Sequence, residues 1–334
     1  MNLSDKLLNK EKLNDFIKAL KKDFSVLLPV KDGNLIFFKG LKDGIKPCFD
    51  YSIASSHPLK SIFLPQREEL FRFKIKKNEI EILESSMNDE KRIIIGCRPC
   101  EAKGLTIIDK PFLEWQPRDE AYLKRRENTI IISILCPEPE DTCFCTSLGY
   151  NLEDGSDILM IELSGCYYLE VLTERGENLV KDLPLAEDKK IKEKEKEILT
   201  SKIKRHISIN SPIAFDNPLW KEISQKCLGC GICTYLCPTC YCFDIADEKN
   251  SRFRCWDSCS FSYFTKMAAH QPRPEQFQRY RNRIMHKFSY FKERFNEFAC
   301  VGCGRCIRHC PVSMDIMEVI EKSGVRSQES GVKG

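Results

Sequence analysis

CLGCGICTYLCPTCYCFD at residues 227–244 and CVGCGRCIRHCP at residues 300–311 decide what this chain is built around. Each contains the spacing Cys-x2-Cys-x2-Cys-x3-Cys-Pro: Cys227, Cys230, Cys233 and Cys237 before Pro238, then Cys300, Cys303, Cys306 and Cys310 before Pro311. A pair of such runs holds two [4Fe–4S] clusters, with the fourth cysteine of each run crossing to the other cluster. The residue before a proline is pushed into extended backbone, which lets its thiolate aim away from the first three. One cluster is therefore expected on Cys227, Cys230, Cys233 and Cys310, and a second on Cys237, Cys300, Cys303 and Cys306. Gly229, Gly231, Gly302 and Gly304 carry no Cβ, so backbone N–H groups can come close to sulfur. Zinc usually takes two separated pairs per ion, and disulfide frameworks suit short secreted chains. Neither matches a packed run of four closed by proline.

The chain has 334 residues, a length that suggests two domains, and 42% hydrophobic residues to fill their cores. Its start, MNLSDKLLNKEKLNDF, lacks the apolar core of a signal peptide, and no stretch is apolar enough for a membrane span. Nineteen cysteines in such a chain read as reduced thiols and metal ligands, which points to the cytoplasm. The net charge of +4 gives no whole-molecule reason to expect nucleic acid or a membrane surface.

The pattern of elements predicts an α+β fold, with an N-terminal α/β domain followed by an α-helical ferredoxin-like dicluster domain. Ser4 is placed to cap a first helix reaching about Lys22, with Leu7, Leu8, Leu13, Phe16, Ile17 and Leu20 on one face. FSVLLPV and NLIFF around a Lys-Asp-Gly turn read as a hairpin, and 158–163 with 166–172 as another. RIIIG at 92–96 and TIIISIL at 129–135 read as buried strands, with helical DEAYLKRREN before the latter. The expected divisions are an α/β domain over 1–174, a charged linker or exposed helix over 175–215, a dicluster domain over 216–320 and a flexible tail over 321–334. Asp216 is placed to cap a helix leading into the first run. About 62 residues separate the two runs and include PEQFQRYRNRIMHKFSYFKERF, so this interval is expected to be helical. The alternative is a small β-rich ferredoxin carrying an insertion.

Eleven cysteines lie outside the two runs. Cys97 and Cys100 follow one predicted strand, and Cys136, Cys143 and Cys145 follow another. Loops at the ends of neighbouring strands are where α/β sheets build sites. In extended Cys143-Phe144-Cys145 the two sulfurs share a face. A third [4Fe–4S] site on Cys100, Cys136, Cys143 and Cys145 is the preferred reading, against a set of buried structural thiols. Cys240, Cys242 and Cys259 offer an additional centre, completed by Cys255 or a histidine. Cys48 and Cys166 stand alone and read as small core residues.

GCRPCE, LKRREN, CPEPEDTCFCTSLG, the first cysteine run, WDSC, HKF and the second run together resemble the beta subunit of cytoplasmic [NiFe] hydrogenase/sulfur reductases. The chain is also similar to the iron–sulfur electron-transfer component of anaerobic sulfite reductase, and the resemblance covers about residues 90–316. Relatives in that family have other residues at the positions of Cys97 and Cys255, which favours Cys100 as the ligand and leaves Cys255 outside the pattern. His270 and His286 fall on motif positions. The resemblance implies an iron–sulfur electron-transfer subunit without catalytic residues of its own. Its implied partners are an FAD/[2Fe–2S] subunit that reacts with NAD(P)H and a terminal enzyme, first a [NiFe] hydrogenase/sulfur reductase and alternatively an anaerobic sulfite reductase. No G-x-G-x-x-G or Walker motif follows a strand, in keeping with a chain that binds no nucleotide itself. Two other readings are a redox enzyme whose Cys240, Cys242 and Cys259 act on sulfur or disulfides, and a free ferredoxin-like carrier. Arg273, Arg279, Arg281, Arg283, Lys287, Lys292 and Arg294 precede the second run. They form either a solvated helix face or a set of cations that offsets the thiolates or docks an acidic partner.

Overall fold

The computed structural model describes residues 3–33, 35–40, 55, 57–77, 79–84, 89–186, 190–209 and 214–324. Cys48 and the tail from residue 325 lie outside them. The strands are β1 (Lys6–Asn9), β2 (Ser25–Asp32), β3 (Leu35–Gly40), β4 (Arg67–Lys76), β5 (Glu79–Glu84), β6 (Arg92–Cys97), β7 (Thr129–Ile134), β8 (Ile158–Glu162), β9 (Cys166–Val171), β10 (Phe243–Glu248) and β11 (Ser251–Trp256). The fold is α+β.

Seven strands form one sheet in the order β1-β9-β8-β7-β6-β2-β3. Its centre, β2-β6-β7-β8, is parallel, while β3, β9 and β1 add antiparallel edges. Strands buried on both faces need apolar residues on both, which is why β6 and β7 are isoleucine runs. Ile93, Ile95, Ile130 and Ile132 face a core closed by the helix Leu13–Leu20, and Ile94 and Ile131 face one built with the helix Pro99–Asp109. The β6–β7 register slips between Ile95 and Cys97, where Gly96 takes φ 87°. Such a bulge re-aims the chain at a sheet edge. Here it turns β6 into the Cys97–Cys100 loop.

The N-terminus differs from the expected single helix. Asn9 accepts a hydrogen bond from the Glu11 N–H and opens a tight turn, so residues before it pair as β1 on β9 instead of continuing the helix. Asp216 likewise does not cap the helix Leu219–Ser224, whose N-cap is Pro218. The interval between the cysteine runs contains β10 and β11 as well as helices, turned at Lys249 with φ 55°. These two strands join β4 and β5 in a four-stranded antiparallel sheet, β10-β11-β4-β5, so residues far apart in sequence share one sheet.

The charge-dense segment is the helix Lys190–Lys202. It is less exposed than its composition suggests, because its Leu199 and the adjoining Ile203 are buried. Lys192 meets Asp5 at 3.1 Å and Glu170 at 3.0 Å, and Lys196 meets Glu170 at 2.9 Å, so its lysines pair while its apolar stripe packs. The helix Gln276–Met285 begins with a Glu275/Gln278 capping box and runs through a wider π turn at His286–Tyr290 into the helix Phe291–Phe295.

Candidate metal centres

Cys227, Cys230, Cys233 and Cys310 line one cavity, together with Cys306 and Arg283. The run folds by left-handed glycines, Gly229 at φ 65° and Gly231 at φ 76°, and the second run repeats this with Gly302 at 61° and Gly304 at 69°. These turns aim N–H groups at sulfur: Gly229 N–H lies 3.4 Å from Cys227 Sγ, and Gly302 N–H 3.5 Å from Cys300 Sγ. Gln276 Nε2 adds a third donor at 3.3 Å from Cys227 Sγ, held there by Arg279, whose Nη2 donates to Gln276 Oε1 at 2.8 Å. Cys230 is exposed, so this site reaches the surface.

Cys237, Cys300, Cys303 and Cys306 form the second set, with Cys237 acting electrostatically on each of the other three. Burial pushes the Cys300 thiol up to about 11 and the Cys306 thiol up to about 12. Buried thiols of this kind become thiolate ligands when a positive metal group compensates them. Lys287 Nζ donates to Cys237 Sγ at 3.3 Å and to Thr239 Oγ1 and the Ala299 carbonyl at 3.1 and 2.9 Å.

Cys100, Cys136, Cys143 and Cys145 line a second cavity, with Cys303, Arg98, Arg305 and Arg308. Cys100 comes from the first turn of Pro99–Asp109 and the other three from the loop after β7, at the ends of two neighbouring parallel strands. Leu199 of the charged helix and Ile203 just beyond its end close one wall. The loop packs against the second run through glycine: a Cβ on Gly302 would stand 2.6 Å from Cys145 Cα, and Phe144 N–H donates to the Gly302 carbonyl at 2.9 Å. Cys97 points into the apolar core beside the sheet and does not line the cavity.

Cys240, Cys242 and Cys259 lie close together next to the second set, with Cys242 beside Cys259 and Cys240 beside Cys237. Lys60, a buried lysine from a distant segment, donates to the Cys240 carbonyl at 2.6 Å and the Thr234 carbonyl at 3.0 Å and lies over the Trp256 ring. His286 bonds the Tyr241 hydroxyl at 3.2 Å, and His270 is exposed. Among the described residues no three His, Cys, Asp or Glu side chains converge on a point fit for a single metal ion. The cysteines instead ring cavities.

The donor sets fit clusters by a second observation. Arg283 and Arg305 are buried, yet Arg283 Nε and Nη2 and Arg305 Nη1 have no hydrogen-bond partner. Each of these arginines lines one of the two cavities. A buried cation with free donors calls for an anion, and a cluster bound by four thiolates supplies one. Of the seven basic residues before the second run, Arg279, Arg283 and Lys287 are buried and the exposed Lys292 and Arg294 are not part of the sites. Their i, i+4, i+8 spacing was the available signal, since it puts all three on one helix face. Nothing in the local sequence marks Lys60 or Arg305.

A family model described as a 4Fe-4S dicluster domain matches residues 226–314. Sulfhydrogenase 2 subunit beta of Pyrococcus furiosus is 32% identical, with 94% of this chain and 97% of that protein covered. F420-dependent formate dehydrogenase subunit beta of Methanocaldococcus jannaschii is 21% identical over 76% of this chain and 58% of its own length. No solved structure matches the chain significantly. With a relative of this identity along nearly its whole length and cysteine runs inside the matched domain, the chain belongs to the family of sulfhydrogenase beta subunits and carries a 4Fe–4S dicluster domain.

Proposed function

We propose that this chain relays electrons through three [4Fe–4S] clusters held by the three cysteine sets. The observation that carries this reading is the sharing of the middle set. Cys306 reaches the cavity of Cys227, Cys230, Cys233 and Cys310, while Cys303 reaches the cavity of Cys100, Cys136, Cys143 and Cys145. The middle cluster therefore adjoins both others, and the order along the relay is Cys100 site, Cys237 site, Cys227 site. Clusters supply reversible one-electron transfer at potentials set by charge, burial and hydrogen bonds to sulfur. The protein's part is to hold the thiols together, exclude water from the inner two sites and expose Cys230 at one end.

The partners in this reading are an FAD/[2Fe–2S] subunit reacting with NAD(P)H and a terminal [NiFe] hydrogenase/sulfur reductase, all in the cytoplasm. The sulfhydrogenase relative supports that choice over a sulfite reductase. No helix among the described residues is long and apolar enough to cross a membrane. Anaerobic purification of the native complex tests the assignment. Nickel in stoichiometric amount with a flavoprotein is expected; a siroheme spectrum without nickel would replace the terminal enzyme with a sulfite reductase, and a chain that purifies alone would be a free carrier.

A second reading gives Cys240, Cys242 and Cys259 a further redox centre acting on sulfur or disulfides. The contact with Cys259 holds the Cys242 thiol down at about 7 in spite of burial. A thiol that ionises near neutrality is a competent nucleophile. Cys240→Ser and Cys259→Ser are expected to abolish reduction of sulfur or disulfide substrates if this centre acts, and full retention of every reductase activity would remove it.

A further inference from the structure

Arg283 stands on the helix Gln276–Met285 between two of the cysteine sets. Its side chain lines the first cavity with Cys233 of one set and Cys306 of the other. It is 4% exposed, and among the described residues it forms no ion pair. Its Nε and Nη2 have no hydrogen-bond acceptor. The neighbouring cations on the same face are otherwise engaged. Arg279 donates to the Ser260, Arg273 and Pro274 carbonyls and to Gln276, and Lys287 donates to Cys237, Thr239 and Ala299.

A buried guanidinium without acceptors is strongly unfavourable unless an anion meets it. Its fork of N–H groups is rigid and planar, so two free donors on adjacent nitrogens can address two sulfurs at once. N–H···S bonds and nearby positive charge favour the reduced, more negative state of a cluster. We propose that Arg283 is the shared hydrogen-bond donor of the first and second clusters, aiming Nε–H and Nη2–H at their sulfurs and raising the potentials of both. This rests on the three-cluster reading. It adds that these two clusters are tuned as a pair, which lowers the repulsion between them when both are reduced, while the Cys100 site is outside its reach.

The test is a redox titration of the whole cluster-loaded protein followed by electron paramagnetic resonance, comparing the unsubstituted chain with Arg283→Met and Arg283→Lys at matched iron content. In R283M two of the three cluster signals should titrate at lower potential. Their ratio of reduced to oxidised cluster at a fixed potential should fall by about tenfold or more, which is about 59 mV for one electron. The third signal should stay in place, and R283K should show a smaller shift in the same two signals. Unchanged potentials in either iron-complete variant, or an equal shift of all three signals, would overturn the proposal. Because R283M removes a buried side chain, the unsubstituted protein carrying arginine labelled with ¹⁵N in its guanidinium gives a reading that needs no variant. A ¹⁵N hyperfine coupling on the reduced first cluster, whose cavity Arg283 alone of the described arginines lines, is expected, and its absence overturns the proposal. Fewer than three cluster signals in the unsubstituted protein would instead count against the cluster assignment, a separate failure.

Discussion

Arg305 Nη2 donates to Glu101 Oε1 at 2.8 Å, and both side chains are 1% exposed. Arg305 lies inside the second cysteine run and Glu101 follows Cys100, so one buried ion pair joins the second run to the segment that carries Cys100. Ser55 Oγ also donates to Glu101 Oε1, at 3.1 Å, and tightens the junction.

Removing one partner of such a pair leaves the other charge buried and unpaired, which costs about 3–5 kcal/mol. Glu101→Ala is expected to lower unfolding stability by that amount in anaerobic urea titration. The double variant Glu101→Ala/Arg305→Met should recover part of the loss, since it buries no lone charge. A double variant at least as unstable as Glu101→Ala would show that the pair is not the source of the effect.

Gly302 separates strain from crowding. Alanine there would meet a backbone at φ 61° and place its Cβ 2.6 Å from Cys145, whereas alanine at Gly149, with φ 69°, meets nothing within 4 Å. Left-handed backbone costs alanine roughly 1–2 kcal/mol at either site, and overpacking adds about 1–3 kcal/mol at Gly302 alone. Gly302→Ala is expected to be the less stable variant in thermal melts and to lose iron from the second and third sites together. Equal melting temperatures would mean that the two loops are not in contact.

Iron removal should unfold more than the ligand loops. Arg283 and Lys287 are buried among cysteines and, in the three-cluster reading, depend on the anionic clusters for compensation, whereas Arg305 also has Glu101. Chelation under reducing conditions is expected to lower helical circular dichroism, with amide exchange rising first along 276–295. Unchanged exchange there would show that the helix stands without clusters.

Much of this was legible in the chain because cluster ligation and buried parallel strands leave local marks. The cysteine spacing in 227–237 and 300–310 names its own chemistry, and the isoleucine runs of β6 and β7 declare strands covered on both faces. Cys100, Cys136, Cys143 and Cys145 were readable as one group because they follow those two strands, and the structure places them around one cavity. What failed to show was long-range pairing. β1 is short and amphipathic enough to pass for helix until β9 is beside it, and the β10–β11 pair is held through β4, which lies far earlier in the sequence. Lys60 and Arg305 acquire their roles only through folding, since their partners are far away in sequence. The charged helix misled by composition: its buried Leu199 and Ile203 just beyond its end close the cavity of Cys100, Cys136, Cys143 and Cys145.

Cys97 and Cys100 are three residues apart yet differ in surroundings, the first in an apolar core and the second lining a cavity. Cys97→Ser places a hydroxyl in an apolar core and is expected to cost about 1–3 kcal/mol of stability with iron unchanged. Iron loss in that variant equal to the loss in Cys100→Ser would move the ligand assignment to Cys97.

The most direct measurement is iron and acid-labile sulfide per chain in anaerobically purified protein, unsubstituted and as Cys100→Ser. Three [4Fe–4S] clusters predict about 12 of each, falling to about 8 in the variant, with any excess toward about 16 belonging to Cys240, Cys242 and Cys259. About 8 in both proteins would contradict the account, leaving only the two clusters of the dicluster domain.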